Sequence, residues 1–570
     1  MESDGSKFFS LTDVSRVFNE FYTTVAAKLV ERLPSPSRLF GPSSSLFSEF
    51  YRRCRRGRSF TLMPVSGRFI REELSGMKTD KSTGLDDVSA RFLKDGADFL
   101  VEPVKHIINM SILTEIVPDG FKNARVKPLF KKGSWLDPGN YRPVSILPVL
   151  SKVLEKAVNG QFRDFLETNK VLFEFQSGFR SGYSTDTCLI SITDHIRSET
   201  SKGNVTGMVL IDLQKAFDTC DHSILLRKLL GMGVTSVDWF RSYLSGRQQC
   251  VQVGDTCSSF LDVTCGVPQG SILGPTLFLC YINDMSMVLK CKLALYADDS
   301  ALIASGSSPG AVARFLGEQL TLCRSWLVDN RLSLHMGKTE SILFGTSRKV
   351  KGAVFEVVCG DTIVKRVTSV RYLGVILDQC LNFREHATEI LKKANGKMRF
   401  LYRCASSLRG RYRRLLCSAL VGPSVEYCCS AWYPSLLEEF KRALGVLQRK
   451  MVRFVGEMGP REHVEDGDIW ALGWMPFHKR VEYFGAMHVF KIKKSLAPSY
   501  ISSHFRLVSS VHSYGLRQCN MNYSLSGCPF PPKSFTRSAI LFWNSLPSEL
   551  KSSESLRIFR KGLISYLKQD

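Results

Sequence analysis

Between Leu293 and Ile303 the chain reads LALYADDSALI. Two apolar runs enclose a short polar turn, a pattern that specifies strand, tight turn and returning strand. The turn carries two adjacent carboxylates, Asp298 and Asp299. Aspartate and serine suit turns because their side chains bond nearby backbone, and that alone accounts for the composition. A divalent cation between the two carboxylates would also account for placing like charges side by side. The local sequence leaves both readings open.

The rest of the chain narrows the choice. It has 570 residues, enough for about four domains. Its 44% hydrophobic and 23% charged content is that of a folded globular protein. Lys and Arg number 77 against 53 Asp and Glu, a formal charge of +24. So large a surplus points to a polyanionic partner, nucleic acid before an anionic membrane face. The 17 cysteines are scattered without a C-x-x-C pair, which argues against a zinc ribbon or knuckle. The N-terminus, MESDGSKFFSL, lacks the apolar core of a secretory signal, and no run reaches the 18 apolar residues of a spanning helix. An intracellular, reducing setting is the simplest expectation.

Local patterns give a mixed α+β chain. LTDVSRVFNEFYTTVAAKLVERL has helical spacing at Val14, Val17, Phe18, Phe21 and Val25. A Pro/Ser-rich break and the basic cluster YRRCRRGRS follow, the cluster reading as a solvated loop or as a phosphate contact. KPLFKKGSWLDPGNYRPVSIL reads as two extended segments around a polar turn, VLSKVLEKAVNGQFRDFLE as an amphipathic helix and GMVLIDL as a short strand. FLGEQLTLCRSWLVDNRL reads as a further helix. Beyond about residue 385 the chain turns helical and basic, with Arg384, Lys392, Lys393, Lys397, Arg399, Arg403, Arg409, Arg411, Arg413 and Arg414 in one stretch. Such a helix could track a phosphate backbone or simply present a solvated face.

Asp212 ends the apolar run MVLID. One carboxylate at a strand end and two on a nearby hairpin could hold two divalent cations about 4 Å apart, the arrangement for in-line displacement at phosphorus. Hard oxygen ligands of this kind suit Mg²⁺, with Mn²⁺ an alternative. Composition does not show that the segments meet.

The order of motifs supplies that link. KSTGLDDVSARFLK, RVKPLFKKGSWLDPGNYRPVSILPVLSKVLEK, FQSGFRSGYSTDTCL, GMVLIDLQKAFDTCDH, GVPQGSILGPTLFLCYINDM, LALYADDSALI, NRLSLHMGKTESILFG and VRYLGVILD occur in series over about residues 78 to 380. In this order they resemble the reverse transcriptase of a non-LTR (LINE-type) retrotransposon. LGWMPFHKRVEYFGAMHVFKI, LAPSYI and FTRSAILFWNSLPSEL resemble the tail of jockey- and chicken-repeat-like elements. The resemblance implies a right-hand polymerase of fingers, palm and thumb. It divides the chain into a helical N-terminal extension with basic linker (1–75), fingers and palm (76–350), a primer-grip-like hairpin (351–385), and a thumb with a mostly helical, basic C-terminal region (386–570). It also implies an RNA template, a DNA primer or target, dNTPs, two Mg²⁺ ions, work in the nucleus with ribonucleoprotein assembly possible in the cytoplasm, and no membrane.

Residue roles follow from the same resemblance. Asp212, Asp298 and Asp299 match the metal-binding carboxylates, Asp299 the least certain ligand. Phe217 matches an aromatic gate against a 2′-hydroxyl; its alternative is a core Phe. Gln269 and Gly270 match the loop along the nascent pair. Lys132, with Lys131 as competitor, and Arg142 match the clamp on the triphosphate. Lys338 matches a proton donor near pyrophosphate, or is a surface lysine. Arg371, Tyr372, Leu373 and Gly374 resemble the primer grip.

Two rival readings remain. Asp218 could be the second aspartate of an RNA-dependent RNA polymerase, although Phe217 and the YADD hairpin weigh against it. A mobile-element-derived binding protein without activity is the other, since the chain is expected to begin too close to the polymerase to hold an endonuclease domain. The intact carboxylates oppose decay.

Overall fold

The computed structural model describes residues 1–569 other than 4, 5, 8, 56, 512–520 and 527. The chain divides into two compact units. The first is Met1–Phe179, Asp212–Lys290 and Leu320–Met336; the second is Arg180–Ile211, Cys291–Gln319 and Gly337–Asp570. Both mix helices and sheet, the α+β class expected. Among the described residues no helix is long and apolar enough to cross a membrane.

In the first unit the sheet runs in the order Tyr141–Ile146, Ala124–Phe130, Arg247–Val253 and Thr256–Cys257, with Leu261–Val263 paired to Arg247–Val253. The N-terminal helix, Leu11–Glu31, is capped by Ser10, whose hydroxyl accepts from the Asp13 N–H at 3.1 Å. Its apolar stripe places Val17 and Phe18 against Val126 and Val251 of the sheet. Asn19 falls on the same buried stripe and is satisfied there: its Nδ2 donates to the Ser259 carbonyl at 2.8 Å, and Gln249 Nε2 donates to its Oδ1 at 3.1 Å. The Pro/Ser-rich stretch is pinned by Asp329, whose carboxylate accepts from the N–H groups of Arg38 at 3.1 Å and Phe40 at 2.9 Å. The basic cluster is helical in its first part, 51–55, while Gly57, Arg58 and Ser59 lie beyond the helix. Arg52, Arg53 and Arg55 close the helix Ser45–Arg55, where cations suit the carbonyl end, and Glu49 pairs with Arg52 and Arg53.

In the second unit a five-stranded sheet runs in the order Lys365–Arg366, Glu340–Phe344, Val205–Ile211, Asp299–Gly306 and Lys292–Tyr296. Gly207, in the central strand, admits side chains close to the sheet: a Cβ there would lie 2.6 Å from Leu316, on the helix Pro309–Asp329, and 2.9 Å from Phe355. The helix Thr185–Ser201 packs on the same sheet and carries Asp194, which is buried. Its carboxylate accepts from the N–H groups of Phe535 at 2.9 Å and Thr536 at 2.8 Å, the first turn of the helix Phe535–Ser545. Burial raises that carboxyl, opposed by these bonds.

The basic stretch is two helices, Arg384–Arg403 and Gly410–Leu416, rather than one. Arg413 stabilises the break by donating to the carbonyls of Ala405 at 2.8 Å and Leu408 at 2.9 Å. Arg384 pairs with Glu439, Lys393 with Glu389, and Lys397 donates to the Leu420 carbonyl. Lys392, Arg399, Arg403, Arg409 and Arg414 are exposed.

Candidate active site

The acidic hairpin lies in the second unit. Tyr296 pairs with Asp299, leaving a two-residue turn of Ala297 and Asp298. Ala297 has φ +58°, a left-handed conformation that costs a non-glycine residue about 1–2 kcal/mol. Asp298 is half-buried and Asp299 exposed, while Ser300, Ala301, Leu302 and Ile303 are buried. The apolar strand therefore carries its two carboxylates out at one end of the sheet. The central strand pairs with the hairpin so that Ile211 faces Ser300. Asp212 follows Ile211 along the chain, and Asp299 precedes Ser300.

The hairpin Ser369–Tyr372 and Val375–Asp378 belongs to the same unit. Its turn residues, Leu373 and Gly374, have φ +46° and +83°. Positive φ at both positions gives a two-residue turn matched to strand twist. Tyr427 donates its hydroxyl to the Leu373 carbonyl at 2.9 Å, and a Cβ on Gly374 would meet the Tyr427 ring at 3.0 Å. Arg371 pairs with Glu389 at the exposed edge. Tyr372 is buried; burial first, then Cys188 and the Asp299 charge, holds its phenol well above the ordinary range. Lys338 is exposed, at the end of the turn Met336–Lys338 just before the strand Glu340–Phe344.

The remaining positions lie in the first unit. The Asp212 carbonyl accepts from the His335 N–H at 2.8 Å, and Gln214 donates to the Ser333 carbonyl at 2.9 Å. Lys215, with φ +48°, opens a tight turn in which the Asp218 N–H donates back to its carbonyl at 2.8 Å. Phe217 stacks on Phe278 at 4.3 Å and is half-buried, so it is neither a plain core residue nor a free one. Gln269 Nε2 donates to Asp218 Oδ1 at 2.7 Å, and the Ser145 N–H donates to the Gln269 carbonyl at 2.7 Å. Gly270 has φ +132°, and a Cβ there would lie 2.3 Å from the Ser145 carbonyl oxygen; only glycine fits. In the hairpin of Ala124–Phe130 with Tyr141–Ile146, Lys131 donates its N–H to the Asn140 carbonyl at 2.9 Å. Lys132 is exposed in the loop beyond, and Arg142, opposite Leu129, is exposed as well.

Two partners escape a reading of local sequence. Asp218 is half-buried beside Gln269, and burial raises its carboxyl, opposed by the Gln269 amide and the Lys215 charge. Glu155 sits on the helix Val149–Thr168, on the face that also buries Ser151, Leu154 and Val158. Its carboxylate accepts from the N–H groups of Ile272 and Leu273 and from the Tyr243 hydroxyl, anchoring the chain just past Gly270. A Glu in the apolar phase of an amphipathic helix was the available signal. Burial raises its carboxyl against those bonds. Glu155→Ala is expected to cost about 3 kcal/mol, because it orphans two amides and a phenol. Glu155→Gln retains an acceptor for both amides and removes a buried charge, so it is expected to stay within about 1 kcal/mol of the parent. Denaturant unfolding of both variants checks this; equal losses would show that the negative charge, and not an acceptor of that size, is what the site requires.

Among the described residues, no group of three or more His, Cys, Asp or Glu side chains is arranged to hold a metal ion by itself. Mg²⁺ is ordinarily held by one or two carboxylates, with substrate phosphates and water completing the octahedron. The hard oxygen donors of Asp298 and Asp299, at a turn where like charges adjoin, fit that demand.

Comparison with known proteins bears on the whole arrangement. Residues 129–377 match the family described as reverse transcriptase (RNA-dependent DNA polymerase). The chain is 28% identical over 410 residues to the probable RNA-directed DNA polymerase from transposon BS of Drosophila melanogaster, covering 70% of this chain and 45% of that protein. It is 28% identical over 404 residues to the RNA-directed DNA polymerase from mobile element jockey of Drosophila funebris, covering 68% and 44%. A third relative, from the X-element of Drosophila melanogaster, is 25% identical over 396 residues, covering 68% and 43%. The chain thus spans less than half the length of these relatives. Residues 129–377, which contain Asp212, the acidic hairpin, Phe217 and Gln269, match the reverse transcriptase family, and the chain is similar to RNA-directed DNA polymerases of jockey-like non-LTR elements.

Proposed function

We propose that the chain is an RNA-directed DNA polymerase of a non-LTR retrotransposon, adding dNTPs to a DNA 3′ end on an RNA template. The observation that carries this reading is the family match over 129–377, which takes in all three carboxylates. The pairing of Ile211 with Ser300 supports their joint action, since Asp212 and Asp299 flank that pair along the chain. In this reading Asp212, Asp298 and Asp299 hold two Mg²⁺ ions. When bound, these ions lower the pKa of the primer hydroxyl and neutralise charge on the triphosphate.

Each protein group then has a task. Lys132 and Arg142 grip the triphosphate, Arg142 with a bidentate fork. Phe217 lies under the incoming sugar and excludes a 2′-hydroxyl. Gln269 and the bare backbone of Gly270 lie along the nascent pair. Lys338 offers a proton to the departing pyrophosphate. Tyr372, Leu373 and Gly374 steady the primer end. The architecture is fingers and palm over 76–350, the grip hairpin at 351–385 and a thumb beyond. Exposed Lys392, Arg399 and Arg403 contact phosphates of the RNA–DNA duplex. Work on chromosomal DNA places the protein in the nucleus.

Purified chain, an RNA template annealed to a DNA primer, and Mg²⁺ test the reading, with dNTPs and rNTPs supplied separately. Extension with dNTPs that stops on adding a chelator is expected. Preferential use of rNTPs, or no extension with either, would overturn it.

A further inference from the structure

We propose that Asp218 is a positioning residue for Gln269, fixing which end of its side-chain amide faces the nascent pair. This rests on the reading of Gln269 given above. Gln269 is half-buried, on the wall of a cleft it shares with Tyr22, Ser145, Asp218, Arg247 and Gln249. A side-chain amide in such a place has two nearly isosteric orientations, with oxygen and NH₂ exchanged. When ionised, the carboxylate of Asp218 accepts and cannot donate. With Oδ1 at 2.7 Å from Nε2, the NH₂ must point at Asp218, and Oε1 is turned the other way.

The backbone holds Asp218 to this task. The segments 217–222 and 266–269 are bonded to each other along their length. Val267 donates to the Phe217 carbonyl at 2.8 Å, and Gly266 to the Cys220 carbonyl at 2.8 Å. The His222 ring contacts the Gly266 carbonyl through Nε2 at 2.8 Å. Gly266 has φ +82°, and a Cβ there would fall 2.7 Å from the Asp218 carbonyl oxygen, so the two backbones approach as closely as glycine allows. Phe217, the proposed sugar gate, and Asp218 are neighbours on one of these segments, and Gln269 is on the other. The gate and the base-pair loop are therefore a single bonded piece, and Asp218 is the side chain that transmits its geometry to the amide.

The test uses the full chain on an RNA template with a dideoxy-terminated DNA primer and Mg²⁺, titrated with the next correct dNTP. Asp218→Ala is expected to weaken dNTP binding about fivefold, the cost of ordering one loosened side chain. With an extendable primer, KM for dNTP should rise similarly while kcat stays within about twofold, because no reacting atom is touched. Parent-like binding by a folded Asp218→Ala overturns this inference alone. A parent chain that does not prefer the complementary dNTP overturns the polymerase reading and this inference with it.

If Asp218→Ala does not fold, Gln269→Glu and the double variant Asp218→Asn/Gln269→Glu decide. The single change sets two carboxylates against each other. The double restores a donor facing an acceptor with polarity exchanged, and is expected to bind dNTP at least about fivefold more tightly than the single. Equal binding by the two overturns the inference.

Discussion

Asp298→Asn is expected to cut RNA-templated primer extension by about a thousandfold or more, a rise of roughly 4 kcal/mol in the barrier. Asp212→Asn should do the same, and Asp299→Asn less. The amide keeps the volume and one oxygen of the carboxylate but loses the charge that a hard cation requires. Asp298 is half-buried at a turn and Asp299 is exposed. Removing one of two adjacent carboxylates removes a repulsion between them. Without metal, the Asp298→Asn variant is expected to stay folded and melt close to the parent temperature. With Mg²⁺, the parent should gain stability by ligand linkage and the variant should gain less. On the proposed reading, affinity for an RNA–DNA duplex should be unchanged, since basic groups elsewhere would carry it. Full extension activity in Asp298→Asn would refute the assignment of the acidic turn.

The sequence conveyed what is local and periodic. The apolar runs around Asp298 became paired strands, and the helical spacing of Val17 and Phe18 became a buried stripe, because strand and helix periods are written within a few residues. Turn chemistry was legible for the same reason, as at Ala297 and Asp298 between the paired strands. Partners distant along the chain were not. Glu155 reads as one more charge on an amphipathic helix until Ile272, 117 residues on, is seen to donate to it. Asp218 invites comparison with a polymerase of another kind, and only the fold shows it on Gln269. The basic stretch after residue 385 reads as one helix because no proline interrupts it. Its break is stabilised by Arg413, a side chain that the sequence left open between a phosphate contact and a solvated face.

Lys228→Met is expected to destabilise the first unit by about 3–5 kcal/mol. In the sequence ILLRKLLGM this lysine looks like part of a solvated face, yet it and Asp284 are fully buried. Nζ lies 2.6 Å from Asp284 Oδ1 and donates to the Tyr281 carbonyl at 2.6 Å, with the Tyr281 and Trp326 rings at 4.9 and 4.7 Å. Asp284 Oδ2 is buried with no hydrogen-bond partner. Burial lowers the lysine and raises the carboxyl, in each case against the attraction of the other. Both ions are thus less favoured than in water, and desolvation outweighs their pairing. Loss of the lysine leaves a buried carboxylate with no counter-charge, whereas loss of both removes the cost together with the benefit. The double variant Lys228→Met/Asp284→Leu is therefore expected within about 2 kcal/mol of the parent, or above it. The pH dependence has a definite sign. An acid whose folded pKa is raised contributes stability below its unfolded pKa and loses it as pH rises through the folded one. The Lys228→Met deficit should be largest at neutral pH and shrink in acid, as Asp284 takes up its proton in the fold first. Denaturant unfolding at several pH values measures all three forms; a double variant as unstable as Lys228→Met would show that the pair is worth more than apolar packing in its place.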